Sequence, residues 1–264
     1  MNKFARATIL AAAGILLGCP GAHAQYAAND LVLGFDRVDN GGSGPQPADY
    51  IINLGNFQSA VGVEGSTTVS LTTLFNAGVF NGLYGSLGSG VTMSVIGGNG
   101  ASTGRDIFTT VLRSGPGTPG VPDSSAPGAL LSSFMANGAN DVAAMMGASG
   151  LNLSAGQSMT IAQADPNSFN TWVLSTTPPT FGTGTGLDPR GSTGGSVLYE
   201  DLYRARNGVN GNSFEYVGSF TLDTSGSPSL SFTPSAVPEP GTAVLLGSGL
   251  LLFLMRLRSA RRNG

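Results

Sequence analysis

The sequence predicts a mainly β protein. The expected fold is an antiparallel β-sandwich with one or two short helices, between an N-terminal signal peptide and a C-terminal transmembrane helix. Three observations carry this expectation. Glycine supplies 41 of the 264 residues and charged residues only 10%, against roughly 25% charged in ordinary soluble chains. A charged helical bundle is excluded on that ground. Short runs rich in β-branched and aromatic residues recur between Gly, Pro, Asn and Asp clusters, the pattern of strands and turns. Basic residues gather at both ends beside apolar stretches, as in targeting segments.

Residues 1–24 have the three parts of a secretory signal. Lys3 and Arg6 open it, Ala7 to Leu17 form the apolar stretch, and Ala22-His23-Ala24 is a small-x-small cleavage site leaving Gln25 as the new N-terminus. Leu16-Leu17-Gly18-Cys19 also has the form of a lipoprotein box, with Cys19 as the lipidated residue. Cleavage after Ala24 removes the sole cysteine, the sole histidine and the sole lysine. The body then folds without disulfides and relies on an ordinary core.

Between Gln25 and Ala236 stand six arginines against fourteen acids, a net charge of −8. An acidic body excludes nucleic acid as a partner, because phosphate binding needs a basic face. Strands are expected over Leu31–Phe35, Tyr50–Leu54, Val91–Ile96, Ile107–Leu112, Met159–Ala162, Val197–Tyr203, Phe214–Leu222 and Leu230–Thr233. The last two form a hairpin across Asp223-Thr224-Ser225-Gly226, whose composition suits a turn. Helical spacing of Leu130, Leu131, Phe134, Met135, Val142, Met145 and Met146 predicts a helix, with Gly138 as a break point. Its methionines are read as core packing. A shorter helix is expected from Leu71, Leu74, Phe75 and Val79, with Ser70 as N-cap. Residues 115–128 and 178–195 read as loops rich in Gly, Pro and Thr. Composition does not change across them, so 25–236 is expected to be one β-rich extracellular domain.

The C-terminal segment has three parts in order. Val237-Pro238-Glu239-Pro240-Gly241 is a proline-stiffened, extended stretch that a protease can grip as a strand. Thr242 to Met255 is an uncharged apolar run of 14 residues. It spans a bilayer, though short of the usual ~20 residues, once flanking residues join it and arginines snorkel. Arg256, Arg258, Arg261 and Arg262 follow and place the C-terminus in the cytoplasm, with the body outside.

This tripartite end, residues 237–264, closely resembles the PEP-CTERM sorting signal of Gram-negative bacteria. The resemblance implies recognition and cleavage near Pro238-Glu239-Pro240 by exosortase, a membrane-bound protease. It implies transient residence in the inner membrane, followed by a secreted or cell-surface location. The family is linked with exopolysaccharide, biofilm and floc formation. Asn29-Asp30-Leu31-Val32-Leu33-Gly34-Phe35 and Asp49-Tyr50-Ile51-Ile52-Asn53-Leu54-Gly55 resemble the opening of a recurrent group of such proteins. Asp201-Leu202-Tyr203-Arg204 and Tyr216-Val217-Gly218-Ser219-Phe220-Thr221-Leu222 resemble its closing segments.

The mature body has little equipment for catalysis. Ser or Thr nucleophiles need a base, usually His or Lys, and zinc needs His or Cys clusters. Neither exists after Ala24. No catalytic residue, no cofactor and no enzyme activity are therefore expected. Glu200, Asp201 and Glu215 are the candidates for a glycosidase acid and base, read as solvated strand ends instead. Asp36, Asp39 and Asn40 before Gly41-Gly42 are a weak calcium candidate without the order of an EF-hand loop. Gly182-Thr183-Gly184-Thr185-Gly186 is a linker rather than a phosphate cradle, since no lysine is near. Carbohydrate contact is the main alternative, with Trp172, Tyr199 and Tyr203, joined by Tyr216, as aromatic platforms. The leading expectation is a non-catalytic surface or matrix protein; a carbohydrate-binding module comes second and a carboxylate-based hydrolase third.

Overall fold

A computed structural model describes residues 30–37, 48–56, 68–85, 87, 90–99, 105–118, 120–123, 125–147, 153–166, 168–174, 191–192 and 194–235. The signal peptide and its cleavage site, the sorting signal with its apolar run and arginines, Asp39 and the glycine run 182–186 lie outside these residues.

Eight strands fall where the β-branched and aromatic runs place them. They are β1 (Asp30–Arg37), β2 (Asp49–Asn56), β4 (Val91–Asn99), β5 (Asp106–Leu112), β6 (Ser158–Ile161), β8 (Val197–Arg206), β9 (Phe214–Asp223) and β10 (Ser229–Pro234). Two further strands, β3 (Val69–Ser70) and β7 (Gly191–Ser192), are too short to leave a periodic signal. The β9–β10 hairpin forms as expected. Its turn is tied by the Ser225 N–H donating to Asp223 Oδ1 at 2.8 Å, and by the Thr224 N–H donating to the Ser196 carbonyl at 2.7 Å.

Among the described residues, the strands join one antiparallel sheet in the order β3-β10-β9-β8-β5-β4-β1-β2-β6, with β7 added beside β4. This differs from the two separate sheets of a sandwich. The reason is β5, which pairs with β4 along one edge and with β8 along the other, so the halves stay hydrogen-bonded. The sheet instead curls until its two ends share one core. Tyr50 and Ile52 of β2, Leu198 and Leu202 of β8, and Leu230 and Phe232 of β10 all belong to a single apolar cluster. Within it Phe35 stacks on Tyr50 at 5.9 Å between ring centroids and meets Phe80 edge-on at 5.3 Å. Helix α1 (Ala77–Tyr84) packs into the same cluster through Phe80 and Tyr84.

Helix α1 is capped six residues after the expected position. Ser70 is held in β3 opposite Ser231, and Asn76 caps the helix instead, its Oδ1 accepting from the N–H groups of Gly78 and Val79 at 3.0 and 3.1 Å.

The opposite face carries a second core beneath α2 (Ser132–Gly147) and α3 (Phe169–Leu174). Met135, Met145 and Met146 are fully buried there, in the packing role read from their spacing. α2 runs unbroken through Gly138. Packing of its inner face on the sheet outweighs the roughly 1 kcal/mol that a mid-helix glycine costs. The contact is close: a Cβ on Gly98 of β4 would lie 2.7 Å from the Ala139 backbone. α3 sits equally near β1, where a Cβ on Gly34 would fall 2.3 Å from the Phe169 ring. This six-residue helix escaped the sequence reading because it is shorter than two helical turns.

Residues between the layers that cannot be apolar are bonded locally. Asn53 is fully buried, and its side-chain amide donates to Asp30 Oδ2 and the Leu153 carbonyl, each at 2.9 Å, while accepting from the Gly55 N–H at 2.8 Å. No helix among the described residues is long and apolar enough to cross a membrane.

Candidate functional site

Strand β8 carries the residues singled out for chemistry, and its pleat separates them. Successive side chains on a strand point to opposite faces. Leu198 and Leu202 lie in the core shared by the sheet ends, so Glu200 between them faces the same way. Tyr199, Asp201 and Tyr203 face the other side, where Tyr203 joins the second core. Glu215 sits one strand away, opposite Arg204, and accepts from Arg206 and from Asn210 at 2.9 Å each. The three acids therefore occupy three environments, and no two of them face each other across a cleft as a glycosidase pair requires.

Around Asp201 the structure builds a compact polar centre. Arg113 follows β5 directly, and its N–H donates to the Tyr199 carbonyl at 3.0 Å, which places its side chain beside Asp201. The guanidinium meets Asp201 Oδ1 at 3.2 Å, with both side chains almost fully buried. The same guanidinium donates to the Val121 carbonyl at 3.2 Å, and the Asp123 N–H donates to Asp201 Oδ2 at 2.8 Å. Asp123 in turn accepts from the Ser114 N–H at 3.0 Å and from the Ser114 hydroxyl. Those two donors hold the Asp123 carboxyl below the usual carboxylate range. The loop from 114 to 122 is thus closed at both ends on one buried ion pair.

Beside this centre lies the outer face of β8, β9 and β10. Tyr199 and Tyr216 are half-buried there, and Tyr203 is buried beneath, its ring meeting Tyr216 edge-on at 5.8 Å. Strand register sets Tyr199 opposite Thr221 and Thr221 opposite Ser231, and likewise Asp201 opposite Ser219 and Ser219 opposite Thr233. Desolvation pushes the Tyr216 hydroxyl above the ordinary tyrosine range.

The remaining sequence candidates lie elsewhere. Trp172 is on α3, half-buried against the second core, the same cluster that holds Tyr203 and has Tyr216 packed on it. Of the three proposed platforms, Tyr203 is buried, while Tyr199 on β8 and Trp172 on α3 are half-buried. Asp36 is a buried strand residue opposite Thr92 rather than part of a flexible loop, because β1 extends through Arg37. Among the described residues no group of three or more His, Cys, Asp or Glu is placed to hold a metal ion.

A carboxylate that the sequence did not single out is Asp49. It is fully buried, and its Oδ2 accepts from the Asn170 N–H at 2.8 Å at the start of α3. Desolvation pushes its carboxyl up to about 6, against the pull of the Asn170 and Phe169 amides and Ser168. Arg113 and Asp123 were equally missed. Their signal is faint but present, two opposite charges bracketing a Gly/Pro loop in a chain with very few charges.

No family model, curated protein or solved structure matches this chain.

Two predictions follow from this geometry. Arg113→Ala leaves Asp201 buried without its cation and costs about 3–5 kcal/mol of stability, whereas replacing both residues with apolar ones of similar volume costs much less. Denaturant unfolding of the three variants measures the difference. Folded Asp49 keeps its proton to about pH 6, while the unfolded residue releases it near 3.8. Folding therefore loses stability as pH rises between those values and levels off above, by at most about 3 kcal/mol. Asp49→Asn is expected to flatten that part of a stability–pH profile.

Proposed function

We propose that this chain is an exported, non-catalytic surface or matrix protein. An exosortase-type protease processes it after brief residence in the inner membrane of a Gram-negative bacterium, and it is delivered to an extracellular polysaccharide layer. The observation that carries this reading is the order of Pro238-Glu239-Pro240, the apolar run 242–255 and the four arginines Arg256, Arg258, Arg261 and Arg262. That order gives a protease an extended target, gives the bilayer an anchor, and gives the anchor a direction. The signal peptide with its Ala22–Ala24 site agrees with the same route. A body whose acids lie apart on separate faces supports a structural role over hydrolysis.

A second reading, a carbohydrate-binding module, draws on the outer face of β8 to β10. Two half-buried tyrosines, Tyr199 and Tyr216, stand there among the hydroxyls of Thr221, Ser231 and Thr233, and the charges beneath, Arg113 and Asp201, neutralise each other. Such a face suits an uncharged glycan, with rings stacking on sugar faces and hydroxyls exchanging hydrogen bonds.

Mass spectrometry of the mature termini tests the first reading in cells with and without the sorting protease. The expected product begins at Gln25 and ends near Pro238–Pro240 when the protease is present, and retains its arginines in the membrane when it is absent. An identical, intact C-terminus in both cells refutes processing. The second reading predicts that the protein is retained on the cells' own polysaccharide and that a Tyr199→Ala, Tyr216→Ala double variant loses at least tenfold in affinity. Equal retention of both proteins removes it.

A further inference from the structure

The sheet forks between β4 and β5. These strands pair from Asn99 and Asp106 as far as Ile96 and Thr109, and then part. Past that point the Val95 N–H no longer reaches a strand carbonyl and donates instead to the Thr110 hydroxyl at 3.0 Å. The two residues of β7 take the vacated edge, Ser192 opposite Thr92 and Gly191 opposite Met93. On the far side of the fork, Glu200 of β8 is completely buried. Its carboxyl presses on β7 so closely that a Cβ on Gly191 would lie 2.3 Å from Oε1. A side chain there would have to push the carboxyl aside.

Among the described residues, every group around that carboxyl is uncharged. From β8 itself come Leu198 and Leu202, from β9 Phe220, from β4 Met93 and Val95, all members of the apolar cluster. From β5 come Thr110 and Leu112, and from β7 Gly191. Arg113 and Asp201, the neighbouring charges in the chain, lie on the opposite face and are spent on each other. Neither Glu200 oxygen has a hydrogen bond of normal geometry; the Thr110 hydroxyl and the Gly191 N–H offset only part of the loss of solvent. An ionised carboxylate in such a place is far more costly than a neutral acid.

We infer that Glu200 is a proton-controlled latch: as a neutral acid it seats β7 in the fork between β4 and β5, and on ionising it expels β7 and opens the sheet there. The inference does not depend on the sorting or glycan readings. The direction with pH follows from linkage. The folded chain keeps this proton, while the unfolded glutamate releases it at an ordinary pKa, so folding takes up one proton and weakens as pH rises. The window above pH 7 isolates the effect, because Asp49 has finished titrating near 6.

The test is made on the full chain. Above pH 7 the unfolding equilibrium constant is expected to rise with pH, and Glu200→Gln to abolish that rise. Hydrogen exchange, corrected for its intrinsic pH dependence, is expected to show the amides of Thr92, Met93, Gly191 and Ser192 losing protection before the rest of the sheet in the native chain alone. The infrared spectrum of the native protein in heavy water should keep a band of a protonated carboxylic acid at pH values where an ordinary glutamate is fully ionised, a readout that does not require the variant to fold. A flat unfolding profile, the same rise in the glutamine variant, or absence of that acid band would each overturn the latch. Uniform loss of protection across the sheet would show that Glu200 governs global stability and not β7.

Discussion

A sheet buried on both faces leaves its central strands nowhere to put a side chain that needs water. β1 illustrates the constraint: Leu31, Leu33 and Phe35 enter one core, and Val32, Gly34 and Asp36 enter the other, all of them inaccessible to solvent. In such a strand every polar group must find its partner inside the protein or stay neutral, since an unmatched buried group costs free energy of the order of a lost hydrogen bond or more. The scarcity of charge in the chain is a direct consequence. So is the manner in which the few interior charges are handled.

Three solutions to the same constraint appear. Asn53 is matched bond for bond by Asp30, Leu153 and Gly55. Arg113 and Asp201 neutralise each other and recruit the backbone of Val121 and Asp123 to fill their remaining positions. Glu200 has neither a charge partner nor a full set of bonds, and is raised well above the ordinary glutamate range by desolvation. The second case turns a liability into local order, because Val121 and Asp123, which complete it, lie in a loop. The third makes stability depend on a proton. Sheet curvature is what allows all three: with the ends of the sheet drawn round a common core, β8 is enclosed although it lies on a path of single strands.

Close approach explains the position, if not the number, of several glycines. α3 rests on Gly34 and α2 on Gly98, and in both cases a methyl group would displace the helix. The helices can therefore lie near enough to the strands to exclude water from residues such as Ser94 and Thr109. Elsewhere the same residue type serves turns, so composition alone does not separate the two uses.

The amino-acid sequence by itself determined the class of fold, the eight longer strands, the methionine-lined helix and the final hairpin. Each is written in local periodicity and turn composition, which act over a few residues. It also carries the sorting expectation, which rests on linear order alone. Only the tertiary structure decided that the strands form one curled sheet, that Ser70 is a strand residue and Asn76 the cap, and that Glu200 and Asp201 point to opposite faces. It likewise decided that Tyr203 is buried while Tyr199 is not, and that Arg113 reaches Asp201 from 88 residues away. Those outcomes depend on which strands become neighbours, and pairing between distant segments is set by the closing of the whole core and not by any short stretch of chain.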